Sequence, residues 1–225
     1  VVNLANNHIL DYGPEAAVDT IHLLKEQGME PVGLDADSSP PGQEARIVIR
    51  NGIRVAFLGY SFVPQQFQNF WIKPPPLDTV QMQEDVRNAS RRADVVVVLT
   101  HWGHEYDYQF EDWQRSFARA AIDAGAHLVV GSHPHVVQAV ERYRHGVILY
   151  SLGDFVFDMP DDWRRLKSWP ALAAEVTVNR KGEIEDTQLL PVRINEEYQP
   201  DFQKVFDAES LWVRDDETLG ISHSC

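Results

Sequence analysis

Four short apolar runs in this chain break off in the same manner, each passing directly into polar side chains able to bind a metal or carry a proton. Residues 1–4 run into Ala5-Asn6-Asn7-His8, residues 95–100 into His101, residues 128–132 into His133-Pro134-His135, and residues 147–152 into Gly153-Asp154. Runs of β-branched residues that stay apolar on consecutive positions suit strands buried on both faces, the inner strands of a layered α/β sheet. Helical patterns separate them. Residues 14–28 carry Ala17, Ile21 and Leu24 at helical spacing and stop at Gly28, while residues 78–93 and 111–124 read alike, the latter closed by Gly125. This alternation predicts a parallel or mixed sheet. In such sheets functional groups gather beyond the carboxyl ends of the strands, where all four polar tips fall.

Residues 45–50 and 53–60 flank Asn51-Gly52, a pair that supplies the positive φ angles of a tight hairpin turn, so antiparallel edge strands are expected there. Residues 61–76, rich in glutamine, aromatics and proline, read as a long loop, and residues 172–178 and 184–192 read as a second hairpin. Beyond Asn195 the chain turns acidic and irregular. The expected organisation is one α/β domain over residues 1–194 and an acidic C-terminal tail over 195–225. Because Val1 already lies in a strand-like run with no leader before it, the chain reads as a fragment whose signal or anchor would lie upstream.

Composition narrows the function. Lys and Arg number 20 against 34 Asp and Glu, a formal charge of -14, which leaves no broad cationic surface for a nucleic-acid backbone or an anionic lipid face. No nucleic acid is expected as partner, and no apolar run approaches the ~20 residues that span a bilayer. The one cysteine, Cys225, excludes an internal disulfide or a thiolate zinc cluster.

Nine histidines are present, and His8, His101, His133 and His135 sit at strand tips. Imidazole with an amide oxygen such as that of Asn7 suits Zn, Mn or Fe better than the all-oxygen shells of Mg and Ca. Any one such histidine reads equally as a hydrogen-bonded structural residue; four at neighbouring tips read as a site. Gly131 would let the loop bearing His133 and His135 approach an ion closely. The remaining histidines, His22, His104, His127, His145 and His223, read as structural or incidental.

The ordered blocks Asn6-Asn7-His8-x-x-Asp11-Tyr12-Gly13, His101-Trp102-Gly103-x-Glu105-Tyr106, His133-Pro134-His135-Val136 and Tyr150-Ser151-Leu152-Gly153-x-Phe155 resemble the bacterial capsule synthesis (CapA, poly-gamma-glutamate biosynthesis) family. That family lies within the calcineurin-like metallophosphoesterase superfamily. The resemblance implies a four-layer α/β/β/α metallophosphatase-like sandwich, here lacking its first strand or strands. It implies that Asn7, His101 and His133 bind a second metal, that His135 binds a first, and that His8 is a candidate general acid. Asp11 would orient His8 or cap the following helix. The family's opening Asp-x-His block and bridging acid fall outside the chain, and Asp154 stands where the family usually has Asn, so its carboxylate would either near the metals or cap a turn. Trp102, Glu105 and Tyr106 would line a cleft or pack at strand ends.

What the resemblance implies for function is a metal-dependent hydrolase of phosphoester type, serving capsule or poly-gamma-glutamate biosynthesis in the cell envelope. The alternative is a non-catalytic assembly or export component of a membrane-bound polymer synthase. Two divalent ions, Mn, Zn or Fe, are expected in the full-length protein, with weak or partial binding and no activity in this fragment. The partners implied are an anionic polymer or phosphoester substrate and membrane-bound synthase subunits. Two charged stretches, basic Trp163-Arg164-Arg165-Leu166-Lys167 and acidic residues 158–162, read as solvated surface.

Overall fold

In chain order the elements are β1 (Val2–Asn3), α1 (Gly13–Glu26), β2 (Pro31–Val32), β3 (Arg46–Arg50), β4 (Ile53–Ser61), α2 (Thr79–Ser90), β5 (Val95–His101), α3 (Asp112–Ala124) and β6 (Leu128–Ser132). Then follow β7 (Val140–Tyr143), β8 (Gly146–Leu149), β9 (Pro170–Val178), β10 (Ile184–Ile194), β11 (Pro200–Asp201) and β12 (Trp212–Val213). The computed structural model describes residues 1–35, 43–62, 65–157, 170–195, 197–202 and 207–213. The two charged stretches, His223 and Cys225 lie outside the described residues.

Local chemistry explains the ends of the elements. Asp78 caps α2 by accepting from the backbone N–H groups of Val80 and Gln81. Glu111 and Gln114 close a capping box on α3, which ends at Gly125 in the left-handed conformation. Asn51 and Gly52 take φ values of 52° and 82°, as a two-residue hairpin requires, and β3 pairs antiparallel with β4.

Seven strands form the large sheet in the order β12-β7-β8-β6-β5-β4-β3, with β4, β5, β6 and β8 parallel to one another. Only β3 is the antiparallel edge on that side; β4 is an inner strand paired along its length with β5. One face carries Leu58, Val96, Val98, Val129 and Ile148 and packs against Met82 and Val86 of α2 and Phe117 and Ile122 of α3. Each large side chain so buried contributes roughly 1.5–3 kcal/mol. The opposite face packs Val147 and Leu149 against Leu172 and Leu189 of the hairpin β9–β10. On that same face Gly59 lies so close to β1 and β2 that a Cβ there would stand 2.5 Å from Asn3 Oδ1. Helix α1 covers the β1–β2 pair through Ala17 and Ile21 against Leu4 and Leu34. Helices, large sheet, small sheets and helix thus stack as α/β/β/α.

Two short strands form beyond Asn195. Pro200–Asp201 pairs with β10, and Trp212–Val213 joins the large sheet parallel to β7. Two-residue strands carry no periodicity, which also hides β2 from sequence reading.

Candidate metal centre

The parallel pairing of β5 and β6 sets the site. His101 lies opposite Ser132 in register, so the last residue of one strand stands beside the start of the loop holding His133 and His135. Alternation puts His101 on the same face as Val97 and Leu99, away from Trp102, which is fully buried in the helix-side core. The β1–β2 pair covers that face, and the loop after β1 delivers Asn7: its Oδ1 is 2.9 Å from His101 Nε2. The His101 and His133 rings lie 4.6 Å apart, centroid to centroid, and those of His133 and His135 lie 6.1 Å apart. Asn7, His101, His133 and His135, from three separate parts of the chain, therefore meet at one end of the sheet.

Hydrogen bonds aim these rings. Ser132 Oγ donates to the Thr100 carbonyl at 3.0 Å and lies 3.2 Å from His101 Nδ1. On its other side His101 Nε2 faces Asn7 Oδ1, and a neutral imidazole nitrogen and an amide oxygen are both donors that a divalent cation takes. Burial, then the neighbouring His133, His135 and His8, push the His101 pKa down to about 3, so the ring is neutral and able to ligate. Burial likewise lowers that of His133. His135 behaves oppositely: its Nδ1 is 2.9 Å from Asp154 Oδ1, and this hydrogen bond raises its pKa. Asp154 thus fixes the His135 ring and leaves Nε2 to the site, as carboxylate partners of metal-ligating histidines do.

His8 Nδ1 is 2.8 Å from Asp11 Oδ2. Of the two roles open to Asp11, the structure has the orienting one; the N-cap position of α1 is Tyr12, with no side-chain cap bond. His8 is exposed, and its charge bears on both His101 and His133.

The His133 loop is held in an unusual backbone. His133, His135 and Tyr106 have φ of 98°, 62° and 63°, left-handed values that cost non-glycine residues roughly 1–3 kcal/mol each. Two backbone bonds between the loops, Trp102 N–H to Ser132 O at 3.0 Å and Tyr106 N–H to Pro134 O at 2.8 Å, hold them there. Tyr106 stacks on His135 with ring centroids 5.6 Å apart.

Some sequence expectations take a different physical form. Gly131 is needed for packing rather than for approach to an ion: a Cβ would stand 1.9 Å from Tyr150 O and 2.4 Å from Trp102 Nε1. Trp102 is core, its Nε1 donating to Tyr150 O at 2.8 Å. His127 Nδ1 accepts from Val96 N–H and His145 Nε2 lies 3.1 Å from Ala126 O, both structural. Two further residues join the site. Ser132, which carries no sequence signal of its own, lies against His101 Nδ1, and Glu105, four positions after the strand-end histidine, stands with His133 and His135, one ligand atom from each lying within 4.8 Å of the others.

The layered α/β/β/α arrangement is a metallophosphatase-like fold. The sulfate thiohydrolase SoxB of Thermus thermophilus superposes with a TM-score of 0.53 at 19% identity over 88% of this chain and 33% of that one. A 5'-nucleotidase of Candida albicans gives 0.50 at 12% identity over 86% and 36%. At these identities the likeness is one of fold alone.

Residues 1–159 match the family model described as bacterial capsule synthesis protein PGA_cap, and the chain belongs to that family. It is similar to the PGA biosynthesis protein CapA of Bacillus subtilis, 37% identical over 87% of this chain and 51% of the relative. The capsule biosynthesis protein CapA of Bacillus anthracis is 40% identical over 74% and 42%. A probable polyglutamine synthesis accessory protein of Mycobacterium tuberculosis is 29% identical over 95% and 60%. The chain thus spans about half the length of these relatives.

Proposed function

We propose that the protein is a metal-dependent hydrolase of phosphoester-type bonds, acting at the cell envelope in the biosynthesis of a capsule polymer of the poly-gamma-glutamate kind. The observation that carries this reading is His101 Nε2 facing Asn7 Oδ1 at 2.9 Å beside His133. Asn7, His101 and His133 would hold one divalent ion and His135 another, with Mn, Zn or Fe suited to these nitrogen-rich donors. Ions held there would supply Lewis acidity, activating water and polarising the scissile centre. The chain's own residues do the rest. Asp11 holds His8 Nδ1, so His8 Nε2 is the nitrogen able to carry a proton to a leaving oxygen. Asp154 and Ser132 keep His135 and His101 from turning. Residues 1–194 form the functional unit in this reading, with 195–225 an appendage to it.

The names of the Bacillus relatives support a role in capsule synthesis, with an anionic polymer or phosphoester as substrate. A second reading, a non-catalytic component working beside membrane-bound synthase subunits, is favoured by the mycobacterial relative's description as an accessory protein. No helix among the described residues is long and apolar enough to cross a membrane. The test is hydrolysis of a broad phosphoester and pyrophosphate panel by the whole protein with Mn added. Turnover supports the hydrolase. Stoichiometric metal binding without turnover on any member favours the accessory role.

A further inference from the structure

We propose that Glu105 is a metal ligand, completing with His133 and His135 a two-histidine, one-carboxylate site for a divalent cation. The proposal rests on the metal-centre reading above and deepens it: it moves His133 from the ion of Asn7 and His101 to an ion shared with His135, and adds the anionic donor that the four strand-tip residues lack.

Three neutral donors attract a dication weakly, because water competes well for an ion whose charge no ligand offsets. A carboxylate changes that balance. Ligand atoms sharing an ion at bond lengths of about 2.0–2.2 Å stand roughly 3.3–4.4 Å apart, depending on geometry. One donor atom each from Glu105, His133 and His135 already lies within 4.8 Å of the others, and Glu105 is exposed on a side chain free to close the remainder. Two histidines and one glutamate are also the protein donors of known catalytic zinc sites that keep a position open for water or substrate.

The backbone keeps this grouping in place. Glu105 lies between two ties to the histidine loop, the Trp102 N–H to Ser132 O bond and the Tyr106 N–H to Pro134 O bond. Tyr106, the next residue, has the left-handed φ that turns the chain at this point and stacks its ring on His135. With His135 Nδ1 taken by Asp154, only Nε2 is left to ligate.

The experiment is calorimetric titration of the chelator-stripped 225-residue chain with Zn, paired with zinc content after gel filtration. One Zn per chain is expected. Glu105→Gln, which keeps size and removes charge, should weaken binding at least tenfold with an unchanged melting temperature, and His135→Ala should weaken it comparably. Asp107→Asn, a neighbouring charge loss, should leave binding as it was. Cobalt bound to the wild type should give a visible absorption that changes in Glu105→Gln. Wild-type affinity and cobalt spectrum in Glu105→Gln, with His135→Ala still impaired, would overturn the role of Glu105 and leave the metal centre standing. No binding by the wild-type chain at all would overturn both.

Discussion

His101 Nε2 and Asn7 Oδ1, 94 positions apart in sequence, face each other at 2.9 Å. On the other side of the ring Nδ1 lies 3.2 Å from Ser132 Oγ, which itself donates to Thr100 O. An imidazole nitrogen and an amide oxygen brought together beside His133 are donors of the kind the proposed metal centre needs.

Ser132→Ala removes the hydroxyl that holds His101 Nδ1 without touching a donor atom of the centre. Metal affinity should fall about tenfold, within the range seen when a ligand's hydrogen-bond partner is removed. Titration with Mn or Zn measures this, and an unchanged affinity would mean that the ring is held by packing alone.

His8→Ala should lower turnover of the whole protein by about 10²–10⁴-fold, the usual contribution of a general acid, while leaving metal content nearly constant. Asp11→Asn should lower kcat less, with little change in KM, because it removes only the group holding His8 Nδ1. Loss of metal together with activity in His8→Ala would make His8 a ligand.

Gly131→Ala forces a methyl to 1.9 Å from Tyr150 O. Either β6 moves from β8 or the Trp102 Nε1 bond to Tyr150 O breaks. Overpacking of this kind costs about 1–3 kcal/mol. Urea unfolding should register a loss of that size, whereas a variant of full stability would show that the strands separate freely.

Asp94 joins Arg54 through both guanidinium and backbone N–H bonds, which hold its pKa down to about 2. In the unfolded chain the value is about 3.9. The charged form is therefore favoured by folding, so the stabilisation is fully present above about pH 4 and vanishes as pH falls through 2. Asp94→Asn should melt below the wild type at pH 7, and the gap should close near pH 2. A gap that persists in acid would assign the effect to shape rather than charge.

Much of the architecture could be read directly from the residues. The valine run at 95–98, the Asn51-Gly52 turn, the Gly125 stop and the helical spacing in 111–124 encode their elements locally, since each depends on backbone preferences and periodicity within a few positions. The histidines at strand tips were legible for the same reason: parallel strands between helices bring their carboxyl ends to one side of the sheet. What the sequence left open was every relation set by packing between distant segments. Asp11 could have capped a helix, Asp154 could have neared a metal, and Glu105 could have packed at a strand end, because a side chain's partner depends on where the loops turn it. The turn after His8 puts Asp11 on its ring, and the register of β5 on β6 with the bonds between the 102–106 and 132–135 loops puts Glu105 beside the histidine loop. The edge strand Trp212–Val213 is likewise a tertiary outcome, since two residues hold a strand only when a neighbouring edge supplies their hydrogen bonds.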